Sequence, residues 1–155
     1  MGKSALEGLL LINGKDVWTE YGVFLAEEKE GDRQNQTSLM TPSKVKGHVG
    51  VDLRDLPGVK YSEKLQVCNA ERDVTLLFAL MAPGRDEWLR RYRAFIKMLK
   101  EGADGWLTVK VPTLGLEMRM FYVDSGNYKP LTSLWRTGMQ VSSFRVILRE
   151  PKPEL

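Results

Sequence analysis

Leu76-Leu77-Phe78-Ala79-Leu80-Met81-Ala82-Pro83-Gly84-Arg85-Asp86-Glu87-Trp88-Leu89 contains the junction on which the fold is decided. Six consecutive apolar residues, Leu76 to Met81, suit a strand buried on both faces. Pro83-Gly84 ends that run. Beyond it, Trp88, Leu89, Tyr92, Phe95, Ile96 and Leu99 recur at intervals that fill one narrow arc when successive residues turn by about 100°. Asp86 can accept hydrogen bonds from first-turn amides, Glu87 suits the positive end of the dipole, and Gly102 follows Lys100 as a C-terminal stop. The spacing predicts one helix over 86–101 with a single face laid on a sheet.

Downstream, Trp106 to Val111, Leu116 to Val123, Tyr128 to Arg136 and Met139 to Arg149 are strand-like. They are separated by Pro112-Thr113-Leu114-Gly115, Asp124-Ser125-Gly126-Asn127 and Thr137-Gly138, the punctuation of an antiparallel meander. Glu150 to Leu155, with Pro151 and Pro153, reads as a tail. Upstream, Leu9 to Ile12 and a run ending in Val17-Trp18 flank Asn13-Gly14, a pair suited to the positive φ angles of a type I′ hairpin turn. Tyr21 to Ala26 is a further short strand, and Leu65 to Ala70 and Val74 to Met81 flank Glu71-Arg72-Asp73. Strands without regular helix alternation predict a mainly β domain over 1–150 with one α-helix, an antiparallel β-sandwich or open barrel.

Residues 27–64 stand apart. Only nine of these 38 positions are hydrophobic, about half the 43% of the whole chain, and seven acidic residues balance seven basic ones. So long a connection is rare in a compact domain and is usually functional. At its centre Val49, Val51 and Leu53 alternate with Gly50, Asp52 and Arg54, which predicts a strand or extended arm. Leu39, Met40, Val49, Val51, Leu53 and Leu56 are the candidate assembly contacts, because they give a partner something apolar to bury. The arm is expected to be mobile in an isolated subunit and to order on contact, since its own apolar content offsets little of its ordering entropy.

Enzyme chemistry finds no foothold in the sequence. Cys68 is the single cysteine and His48 the single histidine, so disulfides, multi-cysteine metal cages and Cys/His catalysis are not expected. Asp86/Glu87 and Asp52/Asp55 are better read as helix-end and loop carboxylates than as an acid/base pair. Gly2-Lys3-Ser4 lacks the upstream strand and glycine of a phosphate loop. No catalytic residue, cofactor or metal is expected. The apolar run Leu9 to Ile12 is too short for a signal peptide or a membrane span, which predicts no membrane partner and folding in the cytoplasm. A formal charge of +3 is too small to declare a nucleic-acid partner. The basic helix 85–101, with Arg90, Arg91, Arg93, Lys97 and Lys100, keeps a nucleic-acid-binding β-barrel open as an alternative. A barrel that binds a small molecule in an apolar cavity is a third reading. Trp18, Trp88, Trp106 and Trp135 lie on separate elements, which suits packing more than a binding platform.

Leu10-Leu11-Ile12-Asn13-Gly14-Lys15-Asp16-Val17, followed by Tyr21-Gly22-Val23-Phe24-Leu25, resembles the start of bacteriophage distal tail and tail-tube-like proteins. The order after it, a long arm, two strands, a helix and a meander, is similar too. The resemblance implies a tail-tube-like subunit that forms a homo-oligomeric ring, commonly a hexamer, with sheets lining a channel and the arm reaching a neighbour. Other tail proteins would be its partners, and nucleic acid would meet it only by passage through the channel. The larger distal tail members carry a second, C-terminal domain, whereas here the sequence stops after the meander; this implies a tube-like or minimal hub protein. Its implied location is the bacterial cytoplasm during assembly, then the tail of a virion or phage-like particle.

Overall fold

The computed structural model describes residues 6–27, 31–132 and 138–155. Strands β1 (Leu11–Ile12) and β2 (Lys15–Asp16) form the expected hairpin, with Asn13 at φ 52° and Gly14 at φ 79°, the left-handed pair that a type I′ turn requires. The chain then departs from expectation. Val17–Tyr21 is a short helix, α1, because the Asp16 carboxylate accepts from the Trp18 amide and starts a helical turn that Gly22 ends at φ 66°. Strand β3 (Val23–Leu25) follows, and then helix α2 (Gln34–Met40).

Strand β4 (Arg72–Ala82) runs into helix α3 (Arg85–Glu101) across the Pro83-Gly84 break. Gly84, not Asp86, occupies the cap position, and no side chain caps the helix. Trp88, Phe95 and Leu99 are buried as the periodicity requires. Gly102, at φ 51°, ends the helix where a Cβ would collide with the Trp106 carbonyl. After it come β5 (Leu107–Val111), a 3-10 turn at Pro112–Leu114, β6 (Leu116–Pro130) and β7 (Gln140–Glu150).

Asp124-Ser125-Gly126-Asn127 is not a turn. It lies inside β6, where the extra residues become register shifts against β7 between Tyr122 and Asp124 and between Gly126 and Lys129. Asn127, at φ 52°, keeps the left-handed conformation that its sequence suggested without reversing the chain. The far end of the expected Tyr128–Arg136 strand, Trp135, Gly2-Lys3-Ser4, Thr137 and residues 28–30 of the arm lie outside the described residues.

Among the described residues seven antiparallel strands form one sheet in the order β2-β1-β5-β6-β7-β4-β3. The sheet curls into a half-barrel with α3 against β4, β6 and β7. This is the open-barrel branch of the expectation and corrects the sandwich branch: one sheet wraps a helix instead of facing a second sheet. Phe78, Phe95 and Phe144 meet at the centre, with ring centroids 5.3 to 6.0 Å apart. Trp88 stacks on Tyr92 at 4.9 Å and donates its indole N–H to the Leu80 carbonyl. No helix among the described residues is long and apolar enough to cross a membrane.

Candidate assembly arm

Helix α2 decides where the arm begins. Strand β3 covers β4 only opposite Phe78, Ala79 and Leu80, leaving the edge of β4 bare nearer its start. Side chains of α2 take over there. Asn35 accepts from the Leu77 amide at 2.7 Å and donates to the Ala26 carbonyl at 2.6 Å, while the Ser38 hydroxyl accepts from the Thr75 amide at 2.8 Å. Two polar side chains thus stand in for a neighbouring strand, which closes an edge that would otherwise pair with another chain. Glu27 accepts from the Gln34 and Asn35 amides and secures the start of the helix.

Leu39 is corrected by this packing. It is 1% exposed in the domain's own core, so it anchors the arm's base and is not available to a partner. Residues 31–40 therefore belong to the domain, and the projecting segment runs from about Thr41 to Ala70, past the expected limit at 64. Neither expected strand forms in it. The centre at 48–56 contributes only one bridge, Val51 with Lys60, whose two amide–carbonyl bonds are each 2.8 Å, and Leu65 to Ala70 contributes only the bridge of Val45 with Asn69. The arm is a two-limbed excursion. One limb leaves through Lys44 and Lys46, Leu53 to Gly58 turn it, and the other returns through Cys68 and Ala70.

Apolar side chains on both limbs face solvent. Met40, Val49, Val51, Leu53 and Leu56 are all exposed, Val49 to 92%. Reasoning from one limb missed the other: Val59, Tyr61, Leu65 and Val67 are exposed as well. Alternation about Lys60 was the available signal. Val59 and Tyr61 close over Gly50, where an added Cβ would come within 2.6 Å of Val59 and 2.8 Å of Tyr61, so the limbs approach only because residue 50 lacks a side chain.

The root is polar and buried. Arg72, the first residue of β4, pairs with Glu150, the last of β7, at 2.6 Å. The same guanidinium donates to the carbonyls of Leu39 at 3.0 Å and Thr41 at 2.7 Å, the point where the outgoing limb leaves the domain. A planar group with donors in a fixed fork is suited to hold a strand end and a helix end together.

The other candidate features separate in space. His48 lies on the outgoing limb and Cys68 is exposed on the returning one. Among the described residues no cluster of three or more His, Cys, Asp or Glu side chains is placed to hold a metal. On α3, Glu87 binds both Arg90 and Arg91; these hydrogen bonds, Arg90 first, bring its carboxyl down to about 2. Arg91 also donates to the Met81 carbonyl, and the Lys100 ammonium sits 5.6 Å from the centre of the Tyr122 ring. Arg85 lies 3.8 Å from Asp86, so four of the six cations of the basic helix are engaged within the chain. An open groove of about 410 Å³ between α2 and the outer sheet face is lined by Arg33, Thr37, Ser38, Thr75, Leu77 and Arg145. In comparisons with known proteins, no family model and no curated protein matches the chain.

Proposed function

We propose that the protein is a structural subunit that assembles with copies of itself into a ring of a phage or phage-like tail, as tail tube or distal hub, using the arm at 41–70. One observation carries the reading: the arm holds nine apolar side chains, from Val45 to Val67, in solvent on a frame that its own domain does not cover. Full burial of a Val or Leu side chain contributes about 1.5–3 kcal/mol, so docking four or five of them on a neighbour contributes roughly 6–15 kcal/mol toward the cost of ordering the limbs. The contact is heterologous, arm of one copy onto body of the next, and such contacts close into rings when the rotation allows. A mainly β half-barrel with one long helix, together with the resemblance of the opening Leu10–Leu25 stretch to the tail-tube-like proteins, supports placing the ring in a tail. Assembly in the bacterial cytoplasm and residence in a tail particle follow from the same reading.

Cys68 offers a direct test, because it is the single cysteine and lies exposed on the returning limb. A photo-crosslinker attached there is expected to give covalent dimers and a ladder of higher species on illumination. Products confined to one chain at every concentration would overturn the reading.

A further inference from the structure

The C-terminal residues lie between the two limbs of the arm. Pro151 and Pro153 lack amide hydrogens, so the chain cannot extend the pairing of β7 with β4 beyond Glu150. It bends away from the sheet at Pro151 and Lys152, with carbonyls free to accept. Those carbonyls are taken by the arm. The amide and the hydroxyl of Ser43, on the outgoing limb, donate to the Leu155 carbonyl oxygen at 3.2 and 2.9 Å. The side-chain Nδ2 of Asn69, on the returning limb, donates to the carbonyls of Pro153 at 3.0 Å and Glu154 at 3.4 Å. Pro153 itself is buried, although residues 152, 154 and 155 are exposed.

We propose that residues 153–155 are a clasp that holds the two limbs together at the root, so that the arm's order is set from the end of β7. The Arg72–Glu150 pair lies on the sheet side of the clasp. Opening the clasp therefore frees both limbs without parting any strand of the half-barrel. Just beyond it, the bonds from the Lys46 amide to the Cys68 carbonyl, 2.8 Å, and from the Ala70 amide to the Lys44 carbonyl, 2.7 Å, join the limbs in exposed surroundings. Two solvated bonds on a long excursion have little local stability of their own, and the clasp supplies what keeps them closed. The inference concerns the arm within one chain and stands apart from the assembly reading.

Amide hydrogen exchange tests it on two variants of the full chain, Ser43→Ala with Asn69→Ala, and removal of Pro153, Glu154 and Leu155. The Lys46 and Ala70 amides are expected to exchange about ten-fold faster or more in both, as local opening becomes easier, while the β4 and β7 amides keep their protection. Unchanged exchange at Lys46 and Ala70 would overturn the clasp. Parallel loss of protection in β4 and β7 would also overturn it, by showing that the segment supports the sheet. The double variant keeps the chain at full length, so a folding failure of the shortened chain does not remove the test. Parent and variants are compared at the same oligomeric state, so a negative result leaves the assembly reading standing.

Discussion

Arg72 and Glu150, separated by almost the whole helix and meander in sequence, form a buried ion pair with Nε 2.6 Å from Oε1. Their side chains are only 7% and 5% exposed; the arginine's Nη1 donates to the Leu39 and Thr41 carbonyls and its Nη2 to the Met118 sulfur. The pair ties the last residue of β7 to the first residue of β4, just beyond the arm.

Removing one partner leaves the other charged and buried. Glu150→Ala is expected to destabilise the domain by about 3–5 kcal/mol in urea unfolding, whereas Arg72→Met with Glu150→Leu recovers most of that loss. A single-variant loss below about 0.5 kcal/mol would mean that water reaches the pair.

Asn35 closes a strand edge with one side chain. Asn35→Ala strands the Leu77 amide and is expected to cost about 1–3 kcal/mol. The same variant exposes the β4 edge to other chains, so faster aggregation on warming, read by light scattering, should accompany the loss. A stable variant with unchanged scattering would contradict the edge-covering role of α2.

Tyr92 gives a pH dependence with a defined sign. Burial, then the neighbouring Tyr128 and Tyr122 hydroxyls, raise its phenol above the usual value near 10. The folded state therefore holds the proton more tightly than the unfolded state. The stability this contributes is present below pH 10 and is lost as pH rises through the folded value. Tyr92→Phe should flatten the alkaline limb of the melting-temperature profile, and an unchanged limb would contradict the assignment.

Much of the half-barrel is legible in the sequence because local chemistry and tertiary packing agree there. Asn13-Gly14 makes a I′ turn, and the Trp88-to-Leu99 arc makes the α3 core face. Where the sequence misleads, a tertiary partner decides. Val17 to Tyr21 carries β-favouring side chains, yet Asp16 nucleates a helix. Gln34 to Met40 has little apolar content, yet it forms α2 because Asn35 and Ser38 find a bare strand edge. Asp124 to Asn127 has turn chemistry, yet β7 continues alongside and absorbs it as bulges. For the arm, composition identified a long uncovered excursion but not its two limbs, since the cross-limb contact depends on the missing side chain of Gly50. Leu39 was indistinguishable from Met40 by pattern; one is core and the other faces solvent.

Arm-mediated self-assembly is tested most directly by solution mass across a range of protein concentrations. The parent chain is compared with one in which residues 46–67 are replaced by a short Gly-Ser turn, leaving Arg72, the clasp residues and the sheet in place. Shortening a loop changes its closure entropy only slightly, so the variant should fold. The account predicts that the parent rises from its 17.7 kDa chain mass to one discrete multiple, while the shortened chain stays at a single-chain mass with its unfolding transition intact. A parent that remains monomeric at every concentration, or a shortened chain that assembles as well as the parent, would contradict it.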